Sequence, residues 1–464
     1  MNRIEATRAA IPKLLIANRG EIAVRIIRTC REMGIATVAV FSEADRAALH
    51  VQLADEAYLL GPPPASQSYL NMDRLIDIAR KAGAAAIHPG YGFLAENGEF
   101  ARRVRQAGLI FVAPEPETIE AMGSKTRARE MMQAAGVPVV PGTTAPIQNL
   151  DQARQVIDQM GGFPVLIKAA AGGGGKGMRV VHHADELARA LEAAQNEARK
   201  AFADDTIYLE KFLDQPRHIE VQILADQHGH VVHLWERDCS IQRRHQKVVE
   251  ETPSPALTPE KRAEMGAIAV QAARACQYRN AGTVEFLFDQ QGNVYFLEMN
   301  TRLQVEHPIT EMILGLDLVR LQLEVAAGLP LPFQQADLQA RGHAIECRIN
   351  AEDVFNQFAP STGLVEFLEL PDGPGVRWDG GVIAGQEVTP YYDPLLAKLI
   401  VWDGNRAAAI ARMKRALQEL NISGVLTTQP FCLAVLNHPA FEQGTYDTGF
   451  VASHWAEMQQ ELRS

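Results

Sequence analysis

The segment FLEMNTRLQVEHP, Phe296–Pro308, gathers the carboxylates Glu298 and Glu306, the amide Asn300 and the guanidinium Arg302 on one short run. Just upstream, the apolar run GTVEFLF holds a further carboxylate, Glu285. Acidic side chains among residues that would otherwise fill a core are costly to bury unless a cation compensates them. Oxygen ligands alone suit Mg²⁺ or Mn²⁺. The QGN between the two runs reads as a hairpin turn, which would bring Glu285 and Glu298 within reach of shared metal ions. Asn300, two residues past Glu298, adds a third oxygen on the same strand face. The pattern predicts an enzyme that handles a metal–nucleotide complex. The competing reading is an exposed acidic pair on a half-buried sheet.

Arg302 and Glu306 extend this constellation. An arginine beside a catalytic metal can pin an oxyanion bidentately, and a nearby glutamate of suitable pKa can take its proton. A structural salt bridge is the alternative, and His307, before a proline, supports the turn. His245 and Lys247 sit in QRRHQKVVEE, a basic cluster in an acidic protein, followed by the apolar pair Val248–Val249. An anionic small substrate explains that cluster better than a solvated charge run. Arg348, in ECRINAE, stands inside an alternating strand, where an anion or developing negative charge is a natural partner.

A second group of residues points to phosphate. Gly172–Gly175, with Lys176 and Gly177, lie between two strands rather than before a helix, so they do not form a P-loop. Successive glycines let backbone N–H groups approach an anion and let the loop close as a cover. The alternative is a flexible linker. Lys168 ends the apolar strand just ahead of this loop, where it can hold a phosphate as a point charge or snorkel to solvent. Glu210 and Lys211 close the strand IYLEKFL and could present groups to a purine edge or ribose. Lys125, in MGSKTRARE, and His218, just past Pro216, read equally well as solvated residues.

These side chains need elements to position them. From Lys13 the pattern is strand, helix, strand, with Gly34 at a helix C-cap; a helix at Asp73–Ala82 then leads to a strand and the HPGYGF turn. Alternating βα units predict an open parallel sheet. The NRGE turn lacks GxGxxG, so a dinucleotide site is not supported. GVPVVPG marks a boundary, followed by a small α+β unit with helices at Asp151–Gly161 and Asp185–Phe202. Strand-like runs from Arg217 to Phe296, interrupted by a helix at Pro259–Cys276, predict an antiparallel sheet. HAIECRINAE, GLVEFLEL and KLIVWDG read as further strands, with a helix at Arg406–Leu420.

Composition narrows the function classes. A chain of 464 residues exceeds one ordinary core. The formal charge of −11 argues against nucleic-acid binding. No apolar run is long enough to span a membrane, and no leader is read before Lys13. Cys30, Cys239, Cys276, Cys347 and Cys432 are scattered and never in CxxC spacing. That disfavours disulfides and zinc and predicts a cytoplasmic protein, with Cys239 a buried structural thiol.

Taken together and in order, LLIANRGEIAVRIIRT, IHPGYGFLAEN, AAGGGGKGMRVV, ERDCSIQRRHQKVVEE, FLEMNTRLQVEHPITEM, GHAIECRINAED and YYDPLLAKL resemble the biotin carboxylase family of ATP-grasp enzymes. The resemblance covers nearly the whole chain. It implies an α/β and α+β multidomain protein: a Rossmann-like N-terminal domain at residues 10–122, an ATP-grasp domain at 123–330 and a C-terminal biotin-carboxylase domain at 340–450. A mobile glycine-rich lid at about 140–213 would belong to the second. It further implies ATP contacts from Lys125, Lys168, Gly174, Gly175, Glu210, Lys211, Leu213, His218 and His245. Glu285, Glu298 and Asn300 match the ligands of two Mg²⁺ or Mn²⁺ ions. Lys247, Arg302 and the backbone of Val305 match the bicarbonate site, Glu306 the base and Arg348 the biotin contact.

The implied activity is ATP- and bicarbonate-dependent carboxylation of biotin through carboxyphosphate, as in the biotin carboxylase subunit of acetyl-CoA carboxylase or a related acyl-CoA, 2-oxoacid or urea carboxylase. Two departures from the family pattern stand out. Lys176 replaces the arginine many relatives carry after the glycines, and no AMKM-like biotin-attachment motif is present. Biotin is therefore expected on a separate biotin carboxyl carrier protein, and the further partner is a carboxyltransferase subunit. The family also implies a homodimer. Arg28 and Glu32 fall in the pairing region, although an intrahelical ion pair explains them equally well. The competing functions are an ATP-grasp carboxylate–amine ligase and a non-catalytic nucleotide-binding protein. The first does not require QRRHQK and ECRINAE; the second would lose a metal acid or the glycine loop.

Overall fold

The computed structural model describes residues 2–143, 145–169, 178–202 and 206–463. The glycine loop, with Gly174, Gly175 and Lys176, lies outside them. The chain divides into two compact units: Met1–Ser124, Arg217–Glu285 and Glu298–Ser464 form one, and Lys125–Pro216 with Phe286–Leu297 the other.

The large unit begins with the predicted parallel sheet. Its strands are β1 (Lys13–Ile16), β2 (Ala36–Ser42), β3 (Glu56–Gly61), β4 (Ala86–His88) and β5 (Ile110–Phe111), in the order β3-β2-β1-β4-β5. The helix Gly20–Met33 buries Ile22, Ile26, Ile27, Cys30 and Met33 and stops at Gly34, whose φ of 68° is the left-handed conformation glycine allows. The next predicted helix spans Met72–Ala82 and is capped by the Asn71 side chain. A helix the sequence reading did not anticipate, Arg3–Ala10, precedes β1 and starts with a capping box between Asn2 and Glu5. It is short and weakly amphipathic. A tertiary ion pair from Arg3 to Glu324, 2.7 Å, fixes it.

The smaller unit carries an antiparallel sheet of β6 (Val165–Ala169), β7 (Met178–Val181) and β8 (Ile207–Lys211), with β6 central. Alternation sends Val165, Ile167 and Ala169 inward, against Ile157 of the helix Leu150–Gln159 and Leu187, Leu191 and Ala194 of the helix Leu187–Phe202. The helix Lys125–Ala134 belongs to the same unit.

The second sheet has eight strands. It contains β9 (Arg217–Ala225), β10 (Val231–Arg243), β11 (Gln246–Thr252), β12 (Asn280–Phe288), β13 (Val294–Asn300) and β14 (His343–Asn350), and ends with Leu395–Asp403 and Val376–Gly380. The order is β13-β12-β9-β10-β11-β14-(395–403)-(376–380). The sheet therefore continues from the acid-bearing strands into the C-terminal strands without a break. GLVEFLEL does not form the single strand expected: Gly363–Leu364 pairs with Glu387–Val388, and Phe367–Glu369 pairs with Asn421–Ser423. The chain changes partner at Val365–Glu366, where the Val365 amide donates to the Gln386 carbonyl and the Glu366 amide to the Ser423 carbonyl.

Candidate functional site

Position in the eight-stranded sheet decides which side chains meet. On β9, His218, Glu220 and Gln222 share one face, and Arg237 of β10 stands opposite Glu220. Between β10 and β11, Ile241 pairs with Val249 but Gln242 pairs with Lys247, so Val248 is an extra residue. That bulge reverses the alternation and puts Lys247 and Glu250 on the same face. Glu250 stands opposite Glu346 of β14, and Arg348 follows two residues later on that face. Glu251 turns to the other side, where His343, Arg406 and Tyr446 enclose it.

Lys247 is the hub of this face. Its ammonium reaches Glu220 Oε2 at 2.5 Å, Glu285 Oε1 at 2.8 Å and Glu306 Oε1 at 2.8 Å. Burial alone would lower its pKa, but these three carboxylates outweigh burial and push it well up. Arg237, fully buried, donates to Glu220 at 2.6 Å and to Gln222 and Thr310. Arg348 donates to Glu250 at 2.6 Å and to Glu306 Oε2 at 2.9 Å. Glu306 is thus held between an ammonium and a guanidinium. Burial works against its ionisation, yet Lys247, Arg348 and Arg237 hold it well below the usual carboxylate range. Glu250, by contrast, is pushed up to about 7, chiefly by burial.

The expected metal acids lie at the neighbouring edge. Glu285 receives Asn300 Nδ2 at 2.8 Å and Gln304 Nε2 at 3.1 Å, and His218 Nε2 stands 3.0 Å away. Gln242 donates to His218 Nδ1, which leaves the proton on Nε2, facing Glu285. Despite burial, Lys247 and His218 hold the Glu285 carboxyl well below its ordinary range. Asn300 Oδ1 accepts from Arg302 while its Nδ2 donates to Glu285, which fixes the orientation of that amide. Two carboxylates, one of them held ionised, and an amide oxygen make Glu285, Glu298 and Asn300 a set whose chemistry fits Mg²⁺ or Mn²⁺. Arg302 is fixed by Glu96, Asn300 and Gln304. Val305 turns its carbonyl to Lys398 at 3.0 Å, and His307 Nδ1 donates to the Gln304 carbonyl, supporting the turn as expected.

His245 is exposed at the β10–β11 tip, where Arg244 and His245 take φ of 49° and 66° in a two-residue turn. Cys239 is buried with its thiol pushed well up by burial, an inert position. Arg28 reaches the Trp378 carbonyl at 3.5 Å; among the described residues no ion pair joins it to Glu32.

In the smaller unit, Lys168 pairs with Glu210, and Arg129 lies 3.6 Å from the same carboxylate. The Lys211 side chain is turned to the carbonyls of Gly161, Gly162 and Phe163. Lys125, at the start of its helix, is exposed, and Leu213 follows the end of β8.

Sequence reasoning missed Glu220, Arg237, Glu250, Gln304 and Glu96. Glu220 was within reach: it sits two residues from His218 in an alternating strand. Glu250 was not, because the bulge at Val248 reverses the parity that alternation predicts.

Comparison with known proteins gives the same picture. Residues 10–119 match the model for the biotin carboxylase N-terminal domain, and residues 346–453 that for the biotin carboxylase C-terminal domain. Residues 124–334 match the carbamoyl-phosphate synthase L chain ATP-binding domain. Biotin carboxylase of Halalkalibacterium halodurans is 54% identical over 95% of this chain and 97% of its own. The small subunit of 2-oxoglutarate carboxylase from Hydrogenobacter thermophilus is 50% identical over 95% of this chain and 93% of its own. Among solved structures, the bicarbonate-bound biotin carboxylase domain of a thermophilic 2-oxoglutarate carboxylase superposes with a TM-score of 0.93 at 47% identity, covering 97% of this chain and 99% of that one. The dimer of that domain from Hydrogenobacter thermophilus, with MgADP, ADP and bicarbonate, gives 0.88 at 48% identity over the same shares. With its strands, its buried acids and its relatives in agreement over nearly their full lengths, the chain belongs to the biotin carboxylase family.

Proposed function

We propose that this chain is the ATP-dependent ligase that carboxylates biotin on a separate carrier protein, using bicarbonate. The observation that carries the reading is Lys247, which joins Glu220, Glu285 and Glu306 through one ammonium while Arg348 closes on the other oxygen of Glu306. Such an arrangement suits activation of a small oxyanion.

In this reading Lys247, Arg302 and the Val305 backbone bind bicarbonate, and Glu306 removes its proton. Two cations lower Glu306's basicity, so proton transfer must coincide with their engagement by incoming oxyanions. The bicarbonate oxygen then attacks the γ-phosphorus of ATP and ADP leaves; positioning and fixed charge carry such a step. Glu285, Glu298 and Asn300 would hold Mg²⁺ or Mn²⁺, at two sites, which supplies neutralising charge for the triphosphate. Carboxyphosphate separates into CO₂ and phosphate, phosphate takes the N1′ proton of biotin, and Arg348 steadies the ureido oxygen while N1′ attacks CO₂.

ATP contacts are assigned to Lys125, Lys168, Gly174, Gly175, Glu210, Lys211, Leu213, His218 and His245 on family resemblance. We assign three domains, at 10–122, 123–330 and 340–450. The carrier protein, a carboxyltransferase subunit, a homodimer through the region of Arg28 and Glu32, and a cytoplasmic site complete the proposal. No helix among the described residues is long and apolar enough to cross a membrane. The carboxyltransferase decides between acetyl-CoA, another acyl-CoA, a 2-oxoacid and urea as acceptor; pull-down of the native protein identifies it.

ADP release with magnesium should rise on addition of bicarbonate and free biotin. Turnover indifferent to both, or driven by a panel of amines instead, would replace this reading with that of a carboxylate–amine ligase.

A further inference from the structure

Three residues of the family-like motifs have no part in the mechanism above: Glu21 of NRGE, Glu346 of ECRINAE and Lys398 of YYDPLLAKL. All three are buried, Glu346 and Lys398 completely. Lys398 stands opposite Arg348 in the register of β14 and Leu395–Asp403, and Asp379 stands opposite Lys398 on the next strand. The face that carries Lys247, Glu250 and Arg348 therefore continues through Lys398 to Asp379.

The Lys398 ammonium meets three oxygens. It donates to the Val305 carbonyl at 3.0 Å, lies 3.0 Å from Glu21 Oε2 and 4.0 Å from Asp379 Oδ2. Asp379 is clamped bidentately by Arg377, which also donates to Glu311 at 2.7 Å. Arg25, from the helix Gly20–Met33, donates to the other Glu311 oxygen at 2.7 Å. Glu311 belongs to the helix His307–Leu314, which begins directly after Glu306. One chain of buried charges thus grips that helix and the peptide just before it.

Resting on the reading proposed above, we infer that Lys398 is a positioning residue for bicarbonate activation. The Val305 carbonyl and the Glu306 amide belong to one planar peptide, so holding the carbonyl fixes both residues. Glu306 makes no side-chain cap to its own helix, and φ/ψ of −81° and 12° leave that peptide at a loop–helix junction. A donor behind the carbonyl stops the peptide from turning. Among the described residues no hydrogen bond or ion pair joins Lys398 to a substrate-binding side chain; it acts through the Val305–Glu306 peptide. If burial of the stem were its whole purpose, an apolar residue would serve with no charge to desolvate.

The test is Lys398→Met, which keeps the stem and removes the donor. Exchange of the Val305 and Glu306 amides, read by hydrogen–deuterium exchange, should quicken while the remainder of the helix His307–Leu314 keeps its protection. In steady-state ATP turnover the bicarbonate KM should rise about tenfold or more, with the ATP KM within about twofold. Lys398→Leu, likewise apolar and without a donor, gives the same readings should the methionine variant fail to fold. Unchanged exchange and unchanged bicarbonate KM in a folded variant would overturn the inference, as would collapse of both variants, which would assign Lys398 to stability alone. Failure of the wild-type chain to respond to bicarbonate would instead sink the functional reading, and the exchange measurement would still decide the role of Lys398.

Discussion

Lys247 and Glu306 meet at 2.8 Å, and the same ammonium also serves Glu220 and Glu285. No carboxylate of the three is surplus, because each has a second partner: Arg237 for Glu220, Asn300 for Glu285 and Arg348 for Glu306. Lys247→Ala leaves three buried acids short of a cation. Breaking a buried ion pair from one side costs about 3–5 kcal/mol, so urea unfolding should show a loss of that order. Bicarbonate-dependent ADP release should disappear with it.

Arg348 ties Glu306 to Glu250. Arg348→Ala should depress biotin carboxylation by about 100-fold or more while nucleotide affinity, followed by calorimetry, stays near that of the wild type. Unimpaired carboxylation would remove Arg348 from its assigned role.

Glu251 offers a control away from the chemistry. It accepts from His343, Arg406 and Tyr446, and despite burial these hydrogen bonds bring its pKa down to about 2. A depressed acid stabilises the native state fully above the unfolded value and loses that contribution as pH falls toward the folded one. Wild-type stability should therefore drop by about 3 kcal/mol from this group as pH falls from about 4.5 to 2. Glu251→Gln should flatten that drop in acid unfolding curves and leave turnover per folded molecule within about twofold.

Glu21 titrates in the opposite sense. Burial pushes it to about 7, against the pull of Lys398 and Arg25 and with the push of Asp379. A raised acid favours the protonated native state, so its contribution is complete below about 4.5 and drains as pH climbs to about 7. The wild type should lose about 3 kcal/mol relative to Glu21→Gln over that window, measured by denaturant unfolding across pH.

Chelation tests the acids at the sheet edge. EDTA should abolish ADP release, and Glu298→Gln should raise the magnesium concentration needed for half-maximal rate by about tenfold. A variant with unaltered magnesium dependence would remove Glu298 from the ligand set.

Much of this protein is written in local pattern. The helices Gly20–Met33 and Met72–Ala82, the strands β6 to β10 and β12 to β14, and the acids set in apolar runs follow from periodicity and caps. Those signals act over a few residues, so a sequence displays them directly. Tertiary structure alone decided the rest. The bulge at Val248 puts Glu250 rather than Glu251 on the face of Lys247, because one extra residue inverts the faces of a strand, and the pairing of Glu250 with Glu346 sets it beside Arg348. The split of GLVEFLEL follows from two partner ribbons distant in sequence. Lys398, charged yet wholly buried, acquires its partners from Val305 and Glu21, which only the folded sheet brings to it.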